Sequence, residues 1–251
     1  MEKYTYKNAK TIDQWVKNGW EWGKPLSHEE YLKALKGDFK ILLTPVKAMP
    51  KEWLGEIKGK KVLGLASGGG QQMPILTALG AQCTVMDLSD TQLESEKMVA
   101  EREGYKIKIV KADMTERFPL ADEEFDLIIN PVANCYVEEI QPIWHECARV
   151  LKKGGVLLTG FENAVGVAFN EKGDKICCSL PFNPLKNEEQ RQECLKENCG
   201  YQFSHTLREE IIGQIEEGFR LEDLYEDVAG KDDLLSINGI PCFIATKSIK
   251  D

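Results

Sequence analysis

From Lys60 onward, short apolar runs alternate with stretches whose apolar positions recur at helical spacing. Val62-Leu63-Gly64-Leu65-Ala66 reads as a buried strand, and Gly68-Gly69-Gly70 opens a helix that closes near Gly80. Cys83-Thr84-Val85-Met86 is a second strand. Ser89 then caps a helix, with Gln92 as its partner three residues on, running to Gly104. Ile107 to Val110 is a third strand, Phe125 to Ile129 a fourth, Glu138 to Leu151 a helix and Val156 to Gly160 a fifth strand. Strands that alternate with helices in this way form a parallel sheet covered on both faces.

Two regions break the rhythm. Residues 1–58 are expected to be a helical cap, rich in Trp15, Trp20, Trp22 and Trp53. Thr11 to Gln14 and Ser27 to Glu30 both match the capping-box spacing, and Gly37 is placed to end the second helix. Residues 59–251 then carry the sheet, with an insertion at 162–205 that holds Pro181, Pro184 and a short charged helix. Thr206 to Glu209 is another capping box, opening a helix to Gly218. Phe219 to Val228 and Ile240 to Ser248 are the last strands, expected as an antiparallel pair. The expected fold is therefore a doubly wound, Rossmann-like α/β sheet of seven strands with an antiparallel last strand and a helical N-terminal cap.

Composition narrows the partners. With 32 Lys and Arg against 41 Asp and Glu, the 251-residue chain carries a net charge of −9. That disfavours nucleic acid and anionic membranes, both of which select basic surfaces. No apolar run is long enough to span a bilayer, and Met1 to Lys10 lacks a signal-peptide core, so a cytoplasmic protein is expected. The 8 cysteines sit in apolar surroundings. They include no C-x-x-C pair, and are expected as reduced thiols with no metal.

The sharpest chemical signal is the turn Ala66-Ser67-Gly68-Gly69-Gly70-Gln71-Gln72 between strand and helix. Glycines allow close approach of a ligand to the backbone, and the helix start offers free N–H groups. Asp87 ends the second strand, where a carboxylate can accept both ribose hydroxyls of a nucleoside. Met73 stands where a dinucleotide fingerprint has its third glycine, and no Lys follows as a P-loop requires. A nucleoside cofactor without a phosphate chain remains.

These residues resemble the class I S-adenosylmethionine-dependent methyltransferases, from about Lys60 to the C-terminus. More narrowly, Leu65 to Gln72 and the Trp-rich N-terminus resemble a group of bacterial small-molecule methyltransferases. The family turn reads roughly acidic-x-Gly-x-Gly-x-Gly. Here Gly64 replaces the acid and Ala66 the first glycine, with Gln71 or Gln72 as substitutes for holding the methionine moiety. The resemblance implies that Asp87 binds ribose and Leu88 flanks adenine. It implies that Asp113, beside Met114, accepts from the adenine amino group, and that Asn130 ends the strand facing the reacting methyl. The implied cofactor is S-adenosylmethionine, with S-adenosylhomocysteine as product.

Asn130-Pro131-Val132-Ala133 lacks the second Pro and the aromatic common in nucleic-acid amino methyltransferases, which favours a small-molecule acceptor. Candidate groups on the acceptor side are Asn134, Tyr136, Glu162, Asn163 and His205, with Trp20 and Trp22 in a Gly-flanked loop. No catalytic base stands out. A non-catalytic cofactor-binding protein and an NAD-linked oxidoreductase are the alternative readings.

Overall fold

The computed structural model describes every residue except Met1, Glu171 and Lys231. The strands are β1 (Lys61–Leu65), β2 (Gln82–Asp87), β3 (Lys108–Lys111), β4 (Phe125–Asn130), β5 (Leu151–Glu162), β6 (Phe219–Asp227) and β7 (Phe243–Lys250). They form a seven-stranded sheet in the order β3-β2-β1-β4-β5-β7-β6. The first five pair parallel, and β7 runs antiparallel to both β5 and β6. This is the expected doubly wound sheet.

Side chains that alternate along the strands feed two cores, one per face. Val62, Val85, Leu127, Ile129 and Leu158 pack toward Met73 and Leu76 of α3 (Gln72–Ala78) and toward Ile41, Leu43, Met49 and Trp53 from the N-terminal region. Leu63, Leu65, Ile128 and Leu157 pack on the other face against Phe118, Ile143, Trp144 and Cys147. Trp144 and its neighbours lie on α5 (Gln141–Val150), which starts three residues later than expected, with Pro142 in its first turn. A Pro is tolerated there because its missing N–H has no partner in the helix.

In the N-terminal region, α1 spans Tyr4–Lys17 and α2 spans His28–Ala34. The Ser27 capping box forms, with Glu30 donating from its amide and accepting from the Ser27 amide. The expected Thr11 capping box does not form. The chain is already helical from Tyr4, so the Thr11 hydroxyl donates back to the Lys7 carbonyl at 3.1 Å. Likewise α3 begins only at Gln72, because Gly69 and Gly70 hold positive φ ahead of it. The helix between β2 and β3, α4 (Asp90–Glu103), is capped by Ser89 as expected.

Beyond β5, the chain forms α6 (Ala164–Ala168) and α7 (Glu188–Glu197). Phe182, Cys194, Tyr201 and Phe203 make a small core of their own there. It reaches α1 through a Tyr4–Phe203 edge contact with ring centroids 5.3 Å apart. The Thr206 hydroxyl and the Glu209 carboxylate cap each other's amides. A π-helical turn, Arg208–Ile212, then runs into α8 (Gly213–Glu216). All eight cysteines are free. Among the described residues no group of His, Cys, Asp and Glu could hold a metal ion, and no helix is long and apolar enough to cross a membrane.

Residues 41–46 cross the carboxyl edge of the sheet. Val132 donates to the Leu43 carbonyl at 3.2 Å. Asp227 accepts from the Thr44 hydroxyl at 2.7 Å and from the amides of Val46 and Lys47 at 2.9 and 2.8 Å. Burial opposes the Asp227 charge, but these bonds outweigh it and hold its carboxyl below the ordinary value. The crossing passes so close to β5 that a Cβ on Gly160 would lie 1.9 Å from the Leu43 carbonyl oxygen. Backbone cannot yield there as a side-chain tip could. Gly160→Ala is therefore expected to destabilise the fold by about 3 kcal/mol, read as a lower urea midpoint. An unchanged midpoint would show that the crossing segment is loosely held.

Candidate active site

The carboxyl ends of β1, β2, β4 and β5 open into a cleft of about 1250 Å³, roofed by α1 and walled by residues 41–46. Open α/β sheets bind ligands at this edge. The turn after β1 forms its floor. Ala66 holds φ at +45°, a left-handed conformation that costs an L-residue about 1–2 kcal/mol. A Cβ on Gly68 would lie 2.7 Å from the Gln92 Cβ and 2.8 Å from an Asp87 oxygen. The turn thus packs against β2 and α4 as bare backbone, with no room for a side chain at Gly68.

Gly64 stands where the resembling family carries an acid, and the space over it is filled. A Cβ there would lie 2.8 Å from the sulfur of Met73, which is fully buried. Of the two glutamines, Gln72 accepts from the Ser67 hydroxyl at 2.9 Å. Gln71 spends its amide N–H groups on the carbonyls of Trp22 and Lys24, at 2.8 and 3.0 Å.

Asp87 ends β2 and accepts from the amides of Gly68 and Ser89, each at 3.0 Å. Burial raises its carboxyl above the ordinary value, against the pull of the Ser89, Gly68 and Leu88 amides. Two further hydroxyl donors from a ribose would offset that penalty. Beside it the Gln92 Oε1 is buried and has no partner. A Gly-rich turn, a buried carboxylate whose pKa burial raises and an orphaned amide oxygen fit a nucleoside cofactor.

Most of the expected site comes together. Ala66, Ser67, Gly68, Gln71, Gln72, Asp87, Leu88, Asp113 and Met114 line the cleft, as do Trp20, Trp22 and Tyr136. Gly70, Asn130, Asn134 and His205 are not among its lining residues. Gly70 lies to the side, its carbonyl accepting from the Leu26 amide at 2.8 Å. Asn130 is fully buried, donating to the Leu65 carbonyl at 3.1 Å and accepting from the Thr159 hydroxyl at 3.0 Å, so it ties β1, β4 and β5 together. Asn134 is fully buried and donates to Glu210 at 2.8 Å. His205 donates from Nε2 to the carbonyls of Asn134 and Val137 at 3.1 and 3.0 Å, and burial lowers its pKa, so it stays neutral as a brace.

Other lining residues carry weaker sequence signals. Thr5, Asn8, Ala9 and Ile12 face the cleft from α1 at helical spacing. The capping-box match at Thr11 hides that stripe by splitting the helix. Trp15 also lines the cleft, tilted against Trp20 and Tyr136 with centroids 5.3 and 6.2 Å away. Glu162 lines it from the tip of β5, whereas Asn163 caps α6.

Comparison with known proteins agrees with this geometry. The methyltransferase domain family matches residues 63–159. An uncharacterised methyltransferase of Bacillus subtilis, YbaJ, is 39% identical over 250 residues, covering 97% of each chain. An S-adenosylmethionine-dependent methyltransferase structure from Mesorhizobium loti superposes with a TM-score of 0.63 at 18% identity, covering 80% of this chain and 95% of that one. Geranyl diphosphate C-methyltransferase from Streptomyces coelicolor A3(2) gives 0.58 at 14% identity, covering 80% and 76%.

Behind the acceptor side, Glu210 is enclosed, and burial pushes its carboxyl up to about 8 from 4.5. The folded chain keeps that proton where the unfolded chain has released it. Its contribution to stability is complete below pH 4.5 and is lost as pH rises toward 8, at about 1.4 kcal/mol per unit. Glu210→Gln cannot ionise and keeps an acceptor for Asn134. Urea midpoints between pH 5 and 8 are expected to fall less steeply in the variant than in the wild type. Parallel slopes would show that Glu210 is ionised in the fold.

Proposed function

The chain belongs to the class I S-adenosylmethionine-dependent methyltransferase family, and on that premise we propose that its methyl acceptor is a small, largely apolar molecule. The observation that carries this reading is the acceptor side of the cleft, lined by Leu43, Val132, Trp15, Trp20, Tyr136 and Phe243. Such a wall gains from burying apolar or aromatic surface and offers little to a phosphate backbone. Geranyl diphosphate C-methyltransferase, which shares the fold, acts by its name on geranyl diphosphate, a small molecule.

S-adenosylmethionine, when bound, supplies an activated methyl on a sulfonium, which transfers by in-line displacement. The chain's own residues then have to align and enclose. In this reading the turn from Ala66 to Gly68 lies along the cofactor, Asp87 accepts from the ribose, and Leu88 and Met114 flank the adenine. Trp15, Trp20 and Tyr136 exclude water from the acceptor. Glu162 is the carboxylate at the β5 tip, able to take a proton from a hydroxyl or amine acceptor.

Two measurements test this. By titration calorimetry, S-adenosylmethionine and S-adenosylhomocysteine are expected to bind the wild type. Asp87→Ala should weaken both about a hundredfold, the worth of two bonds to a charged acceptor. Label from methyl-labelled S-adenosylmethionine is expected in organic-extractable products when the protein meets a panel of phenols, amines and prenyl-type compounds. Label found instead in protein or nucleic acid would overturn the small-molecule reading.

A further inference from the structure

We infer that α1 is a latched roof over the cofactor site, held down by the carboxylates of Asp113 and Asp13, and that the cofactor enters and leaves by release of these latches. This rests on the cofactor assignment above.

The loops around the cofactor site are fastened to one helix or to the segment that follows it. After β2, Asp13 accepts from the Ser89 hydroxyl at 2.6 Å and the Thr91 amide at 3.0 Å. After β3, Asp113 accepts from the Thr5 hydroxyl at 2.6 Å and pairs with Lys3 at 3.0 Å. After β4, Asn8 donates to the Tyr136 carbonyl at 3.0 Å, and it also bonds Tyr201 through that residue's carbonyl and amide, at 2.9 and 2.7 Å. After β1, Gly70 and Gln71 hold the trailing segment through Leu26, Trp22 and Lys24.

Asp113 is committed to this arrangement. Its other oxygen accepts from the amide and hydroxyl of Thr115, at 2.9 and 2.7 Å, so four donors already occupy the carboxylate. The resemblance to the family implies that this group accepts from adenine, but here its free valence goes to α1. Burial opposes the charge, yet the bonds from Thr5, Thr115 and Lys3 outweigh it and keep the group ionised.

The roof lies outside both sheet cores. Thr5, Asn8 and Ala9 are its buried positions, and Tyr4, Ile12, Trp15 and Val16 are half-buried, with Tyr4 against Phe203 and Trp15 against Tyr136. Opening exchanges its hydrogen bonds for bonds to water, at a net cost of about 1 kcal/mol each, and leaves the sheet cores intact. Yet its inner stripe, Thr5, Asn8, Ala9 and Ile12, lines the cleft that the cofactor must enter.

The latches are closed without ligand, so weakening them should speed entry and exit alike and leave affinity nearly unchanged. The test is stopped-flow fluorescence of S-adenosylhomocysteine binding, read from Trp15 and Trp20, in the full chain and in Thr5→Val and Asp13→Asn. Each variant is expected to raise both association and dissociation rate constants about tenfold, with Kd shifted less than about threefold. Faster dissociation alone would overturn the latch and make these residues ligand contacts. Unchanged rates would also overturn it. Absence of binding to the wild type would remove the cofactor assignment and the latch together, whereas bound ligand with unaltered kinetics removes the latch only. The two variants lie at opposite ends of α1, so if one loses its cooperative melt the other still gives the answer.

Discussion

Between β1 and α3 the backbone passes within side-chain distance of β2 and α4 at three consecutive glycines, and the site is arranged around that approach. A Cβ on Gly68, Gly69 or Gly70 would meet Asp87, Gln92 or Val99 at under 3 Å. The closeness brings the Gly68 amide onto Asp87, and so fixes the carboxylate beside the bare turn. It leaves the Gln92 Oε1 buried under Gly69 without a partner. Ala66, at the start of the same turn, is left-handed, so strain is stored beside Asp87 and the glycines.

The parallel order β2-β1-β4-β5 gathers the loops at one edge, and two chain segments close that edge by different physics. Residues 41–46 are fixed by packing and by Asp227, which gathers three donors from Thr44, Val46 and Lys47. Their close passage over Gly160 leaves no slack. α1 is fixed by Asp113 and Asp13 instead, and lies outside both sheet cores. The wall and the roof are thus held by different interactions, and α1 reaches both ends of the cleft, through Thr5 beside Asp113 and Trp15 beside Tyr136.

The sheet was legible because its strands are buried on both faces and read as continuous apolar runs between turn residues. The turn after β1 was legible because backbone packed this tightly against β2 and α4 must be Gly-rich, and Asp87 because it ends β2 beside that turn. The acceptor side was harder to read. Asn134 and His205 look like chemistry in a sequence, but the Asn134 amide N–H is spent on Glu210 and the His205 Nε2 on two carbonyls, both away from the cleft. Asn130 likewise ties three strands. Whether a polar side chain faces a ligand or a backbone group depends on tertiary contacts that no local pattern encodes. The α1 stripe was hidden by a local match at Thr11, where helix already formed from Tyr4 overrides the capping signal.

The central claim is that the turn after β1, the end of β2 and the roof helix close on one nucleoside cofactor. Hydrogen–deuterium exchange with and without S-adenosylhomocysteine tests it most directly. Protection is expected at residues 66–71, 87–92 and 112–114 and along α1, with β6, β7 and α7 unchanged. Protection confined to other parts of the chain, or none at 66–71 and 87–92, would contradict it.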